Sequence, residues 1–452
     1  MSLAELPAEL VAHVARFLPR ADQARLSLIN KVVRSSVQHE LYRDVELDID
    51  TLYDADFDEY LAGTARPRDA VASLANDPAR CALIRRFAVK DHGSWIDQDT
   101  ADNICTVLRQ APLLDDVGFL QTSQEYVDDL DAMPDALIRP VWDILPHLST
   151  LRRLTIHAGP VAALNLHKLE HLRELNVEIS DMTGLPVGTL PSSLEVLSLA
   201  AVEGFPATWF SPSLFAHLRS LTLYHLEAAE IQIIEHALEM YARSSRPSTL
   251  SHLHLDLHPY ELQPHGPDQD AADSALVIRV LRAFKPLADS VVHLEVATSP
   301  AHPYLDESSP TIAASVIEAV TSSFASVKHL RLFIGIGGSF WPYPSHDLMH
   351  DLLLGIARCT QLRRLETNVY RHTRATRRLE SEHEPDEARW VCAVEEAVAL
   401  SAALLLDRLP SLDTVVLSPD ESLVSAKAFV RSDDGVGAPR LVAELDLPRG
   451  VA

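Results

Sequence analysis

Three histidines occupy the same place in three successive copies of a short leucine pattern. The pattern is L-x-x-L-x-L, and its third position holds His252, His293 and His329. Position five beside them holds His254, Glu295 and Arg331, and position seven holds Asp256, Ala297 and Phe333. If each copy is a strand, its leucines point inward, and positions three, five and seven share the outer face. Parallel strands lie ~4.8 Å apart, so the three positions would form adjacent rows of side chains. Histidine rows titrate near neutral pH and can hold a metal. Glu295 would offset one imidazolium charge, and Arg331 would add to the repulsion among the rest. No cysteine joins the rows, and neighbours on one strand are ~6.6 Å apart, so no metal is expected. A solvated face and a partner-binding surface both stay open. The candidate target-binding set is His252, His254, Asp256, His293, Glu295, His329, Arg331 and Phe333.

Other chemistry is sparse. The stretch Gly335-Ile336-Gly337-Gly338 follows a strand pattern, but it lacks the third glycine of a phosphate loop. Trp341-Pro342-Tyr343-Pro344 then intervenes, so no helix start is there to hold a phosphate. The chain has no Gly-x-Ser-x-Gly, no His-Glu-x-x-His and no P-loop, and the expectation is a protein that is not an enzyme and carries no cofactor. Three segments rich in proline and aromatics, 258–267, 299–304 and 338–344, leave one edge of the predicted sheet. Arg371, Arg374, Arg377 and Arg378 precede Glu380, Glu382, Glu384, Asp386 and Glu387. The arginines could receive a phosphorylated partner, or the run is a solvated loop neutralised by its own acidic half.

The elements that must position these residues repeat along the chain. Clear copies of the pattern start at Leu151, Leu172, Leu194, Leu218, Leu250, Val291, Val327, Leu362 and Leu412, and weaker ones at Tyr42, Ile84, Leu114 and Val442. Helical periodicity fills the later intervals, over 228–243, 271–284, 311–324, 346–358 and 386–409. Strand, loop and helix in alternation predict an α/β fold with a parallel sheet on the concave face of a curved solenoid, each repeat burying its leucines against the next.

Ahead of the copies, the first forty-five residues read as three short helices. Leu10, Val14, Phe17 and Leu18 form a stripe on the first, Pro19 stops it, Asp22 caps the second, and the third runs from about Lys31 to Leu41. So small a core should pack some apolar surface elsewhere. The run Leu6-Pro7-x-Glu9-Leu10-x-x-x-Val14-x-x-Phe17-Leu18, then Asp22, then Leu26-x-Leu28-Ile29-Asn30-Lys31-x-x-Arg34, resembles the F-box motif. Val33 stands where that family usually has a large aromatic, and Gln23 where it often has leucine. The resemblance implies docking on the Skp-type linker of a Skp–cullin–F-box ubiquitin ligase, through Leu6, Pro7, Leu10, Val14, Phe17, Leu18, Leu26 and Leu28. The repeated pattern resembles leucine-rich repeats, and 74–89 resembles the start of the repeats in fungal F-box proteins. The asparagine or cysteine usual three residues past the pattern is missing: Gly159, Ser180, Val202, Leu226, His258, Ser299, Gly335, Tyr370 and Asp420 stand there.

These resemblances divide the chain into an F-box module (1–45), a connector with the first strand (46–80), an irregular solenoid (81–447) and a tail (448–452). They imply a substrate-recognition adaptor that reaches cullin through the linker and holds an unidentified target protein on its solenoid. The alternatives are a scaffold outside a ligase, and an enzyme at the histidine rows. Bulk composition agrees with a folded adaptor. Of 452 residues 47% are hydrophobic, and 39 basic against 64 acidic side chains leave a net charge of −25, which disfavours nucleic acid and anionic membranes. Four scattered cysteines fit a reducing compartment. The N-terminus lacks a signal-peptide pattern, and the longest apolar run, Ala397–Leu406, is half a membrane span. A cytoplasmic or nuclear protein is expected.

Overall fold

The computed structural model describes residues 6–49, 68–91, 98–121, 135–157, 166–178, 189–200, 207–224, 228–244, 247–257, 275, 277–298, 310–334, 348–370, 373, 376, 387–418, 426–431 and 440–445. The chain divides into two compact units. The first is Met1–Leu197 with Val202–Trp209, and the second is Ser198–Ala201 with Phe210–Ala452.

The first unit opens with three helices, α1 (Ala8–Ala15), α2 (Arg20–Leu26) and α3 (Lys31–Leu41). α1 starts where the Pro7 carbonyl accepts from the Leu10 and Val11 amides. Asn30 caps α3, its side chain accepting from the Val33 amide at 2.8 Å. Asp22 does not cap α2: Pro19 holds the cap position, and Asp22 lies in the first turn, 3.1 Å from Arg25. Val11, Ala15, Leu26, Val33 and Val37 form a separate small core, with Leu6 and Leu18 packed on it. The Arg20 guanidinium donates to the carbonyls of Leu41 and Asp44 and so ties α2 to the exit of α3.

Strands β1 (Asp44–Ile49), β2 (Arg86–Asp91), β3 (Asp116–Gln121), β4 (Arg153–Ile156) and β5 (Glu174–Glu178) follow, each parallel to the next. After β6 (Val196–Ala200), the second unit continues with β7 (Ser220–Tyr224), β8 (His252–Asp256), β9 (His293–Thr298), β10 (His329–Ile334), β11 (Arg364–Thr367) and β12 (Thr414–Leu417). From β7 to β12 all pairings are parallel. Strand order follows the chain, and the sheet does not close. Helices Ala228–Ser244, Pro310–Ser323, Leu348–Ile356 and Glu387–Arg408 lie in the intervals where helical periodicity placed them.

Two features fix the register. The alternate residues Leu253 and Leu255, Leu294 and Val296, and Leu330 and Leu332 are buried, which leaves positions three, five and seven outward. One carbonyl just before each strand also accepts two amides from the next. Arg219 takes Ser251 and His252, Ser251 takes Val292 and His293, Val292 takes Lys328 and His329, and Lys328 takes Arg363 and Arg364. A slip of one residue would break both bonds and turn the leucines to solvent.

The end of the sheet departs from the expected all-parallel array. β13 (Ala426–Val430) and β14 (Arg440–Leu445) pair antiparallel, β12 with β13 and β13 with β14. The weak copy at Val442 is a strand, but it runs against its neighbour. Only residues 418–425 link β12 to β13, too few for the crossover that a parallel pair requires.

Candidate functional site

Two surfaces stand out. The first is on the helical module. Leu10, Val14, Phe17, Leu28, Ile29 and Val32 are all exposed, Phe17 by 74% and Leu28 by 73%. α1 has two apolar stripes, and its core side is Val11 and Ala15 rather than Leu10 and Val14. Of the expected docking residues, Pro7, Leu10, Val14, Phe17 and Leu28 are exposed. Leu26 is in the core, and Leu6 and Leu18 pack against it, so these three build the module and do not lie open on its face. Gln23 is also buried, its Nε2 donating to the carbonyls of Ala15 and Leu18, each at 2.9 Å. Those carbonyls end α1, and the amide supplies partners that a leucine could not.

The second surface lies on the outward face of the second unit. His252, His293 and His329 are direct register partners across β8, β9 and β10. Their rings stack, with centroids 4.2 Å apart at 4° between His252 and His293, and 4.3 Å apart at 17° between His293 and His329. Ser251 Oγ lies 2.8 Å from His252 Nδ1. Ring nitrogens hold their lone pairs in the ring plane, so parallel stacked rings do not converge on one ion. Among the described residues no group of three His, Cys, Asp or Glu side chains is placed to hold a metal.

The next row binds itself together. Tyr224 meets His254 edge to face at 4.9 Å, with its hydroxyl 3.4 Å from Nδ1. His254 Nε2 lies 3.5 Å from Glu295 Oε1. The same oxygen accepts from Arg331, whose Nε is 3.1 Å from Glu366 Oε1. Arg364 closes the series, 3.7 Å from Glu366 Oε2. Glu295 is therefore committed to His254 and Arg331 instead of offsetting the stacked trio, and Arg331 lies between two carboxylates. The Arg331 guanidinium also covers the Phe333 ring at 4.8 Å. Asp256 and Phe333 are two strands apart, with Ala297 between them.

Burial favours neutral imidazole at His254, His293 and His329. It pushes His254 below the usual range, against Glu295 and Asp256 and together with Arg331. It also lowers His293, helped by His252 and His329. His329 falls for the same first reason, then through Arg364, Lys328 and His252. Protonating one member of the stack thus opposes protonating the next.

Tyr224, Arg364 and Glu366 belong to this surface and were not among the expected residues. Extending the repeat alignment one copy each way finds them: Tyr224 is position seven of the copy at Leu218, and Arg364 and Glu366 are positions three and five of the copy at Leu362. The proline-aromatic segments at 258–267, 299–304 and 338–344, the glycines 335–338, and Arg371, Arg374, Arg377 and Arg378 with the acidic run after them lie outside the described residues or have no described side chain. Among the described residues no helix is long and apolar enough to cross a membrane. Compared with protein-family models and with curated proteins, the chain matches none.

Proposed function

We propose that this chain is the substrate-recognition adaptor of a Skp–cullin–F-box ubiquitin ligase. The N-terminal module docks on the Skp-type linker and through it on cullin, and the outward face of a leucine-rich-repeat array holds a target protein. Ubiquitin transfer belongs to other subunits, and the chain is not itself a catalyst. The observation that carries this reading is the exposure of six large apolar side chains on a module that already has its own core. So many exposed apolar side chains on so small a module mark a protein-binding surface more than a folding need. The two departures from the F-box pattern, Val33 and Gln23, are both buried, so they alter the module's interior and leave its exposed face intact.

Leu10→Arg and Phe17→Arg each put a charge on that face. The expected loss in linker affinity is of hot-spot size, on the order of 2–4 kcal/mol, enough to abolish co-purification. Leu354→Arg, at an exposed leucine of the second unit, is the control and keeps it. Co-purification of both module variants at the wild-type level, with unchanged circular dichroism, would remove the ligase reading.

A further inference from the structure

We propose that the row His252, His293, His329 and Arg364 is a docking surface for a carboxylate-rich peptide segment of the target, bound with uptake of protons. The proposal rests on the reading of this face as the target site.

The geometry comes first. Four successive strands, β8 to β11, place a cation or a group able to become one at the same register position. No carboxylate shares the row, which is flanked by Ser220 on β7 and Thr414 on β12. The charged groups next to it along each strand are Arg219 beside β7, His254 and Asp256 on β8, Glu295 on β9, Lys328 and Arg331 at β10, Arg363 and Glu366 at β11, and Asp413 beside β12. Of the acids, Glu295 and Glu366 hold Arg331, Glu366 also nears Arg364, Asp413 lies 3.5 Å from Arg363, and the Asp256 charge acts on His254. The neighbouring row thus commits Glu295 and Glu366 to Arg331, with Glu366 also reaching Arg364, while among the described residues the three stacked histidines have no carboxylate partner.

That asymmetry identifies the ligand. In a stack of imidazoles each imidazolium repels the next, so a second protonation is opposed by the first. A ligand carboxylate laid against the ring edges supplies the missing negative charge, and the proton it favours then binds with it. Burial holds His293 and His329 below the ordinary imidazole range in the free chain, so protonation falls mainly on the complex. The row suits carboxylates better than phosphate. A phosphate dianion is best gripped by guanidinium forks, and Arg364 is the row's one guanidinium. Three single N–H edges, one per strand, suit separate monoanions along a peptide.

The test is fluorescence anisotropy of a labelled glutamate-rich decapeptide on the purified full chain, without the linker, between about pH 7.5 and 5.5 where histidines titrate. Uptake of one proton tightens Kd by about tenfold per pH unit of acidification. The triple variant His252→Gln, His293→Gln, His329→Gln is expected to lose that slope, and His293→Gln alone to reduce it with less risk to folding. Arg364→Gln is expected to weaken binding at every pH and to keep the slope. A flat wild-type profile, an undiminished slope in the triple variant, equal binding of a serine-substituted peptide, or binding of a phosphoserine peptide alone would each overturn the proposal. Because the linker is absent, these outcomes are independent of the module variants that test the adaptor reading.

Discussion

Asn368 offers the most direct test of how the second unit is held together. It lies just past β11 and is buried. Its Oδ1 accepts from the Ile334 amide at 3.0 Å, and its Nδ2 donates to the Ile334 carbonyl at 2.6 Å. One side chain thus satisfies both backbone groups at the end of β10. Asn368→Ala removes both partners where Ile334 itself is only 2% exposed. Each buried unpaired backbone group costs ~1–3 kcal/mol, so the variant is expected to lose about 2–6 kcal/mol. Asn368→Asp keeps the acceptor but turns a carboxylate toward the carbonyl. It should be at least as damaging at neutral pH and recover in acid, when its protonated oxygen can donate. The chain has two units, so a single melting temperature does not isolate this loss. Hydrogen exchange of the β10 and β11 amides does, and a loss of that size speeds their exchange at least about 30-fold. Exchange in Asn368→Ala within twofold of wild type would refute the reasoning, because Ile334 would then be satisfied without the amide.

Gln23→Leu removes the Nε2 hydrogen bonds to the Ala15 and Leu18 carbonyls, of which Ala15 keeps the Leu18 amide at 3.0 Å, and is expected to destabilise the module by about 1–3 kcal/mol despite the apolar gain. Faster amide exchange confined to α1–α3 checks it, and unchanged exchange would show that leucine fits there equally well. Acidification should destabilise the second unit. With folded pKa values of His254, His293 and His329 below the unfolded value, the unfolded chain binds more protons in the window just below that value, and stability falls as pH drops through it. The triple glutamine variant is expected to lose part of that slope in denaturation followed by exchange at β8–β10, and an identical slope would assign the effect to other groups.

Much of the fold was legible because its repeat is local. The leucine pattern has period two, and each copy starts at a carbonyl that accepts twice, so aligning copies by their leucines also aligned His252 with His293 and His329. The long helices announced themselves by periodicity over many residues. α1 is eight residues long and carries two apolar stripes, and spacing alone could not say which one faces inward. Packing chose the smaller pair, Val11 and Ala15, and left the larger side chains outside. The antiparallel end was missed because Val442 matches the pattern, whereas direction is set by the length of the connection before it. Asn368 was missed because the usual repeat asparagine was sought at Tyr370, two residues on.

The histidine surface shows where alignment stops. It predicts neighbours, but not which of several reachable partners a charge will take. Glu295 lies beside the stack in sequence register and was expected to relieve it. Its side chain turns along its own row to His254 and Arg331, because a guanidinium already flanked by Glu366 forms a more complete ion-pair chain there than one imidazolium could. That choice ties up Glu295 and, among the described residues, leaves the three stacked histidines without a carboxylate partner. Their isolation is a consequence of the competition for Arg331, so Arg331→Gln should free Glu295 to face His293 and blunt any proton-linked binding there.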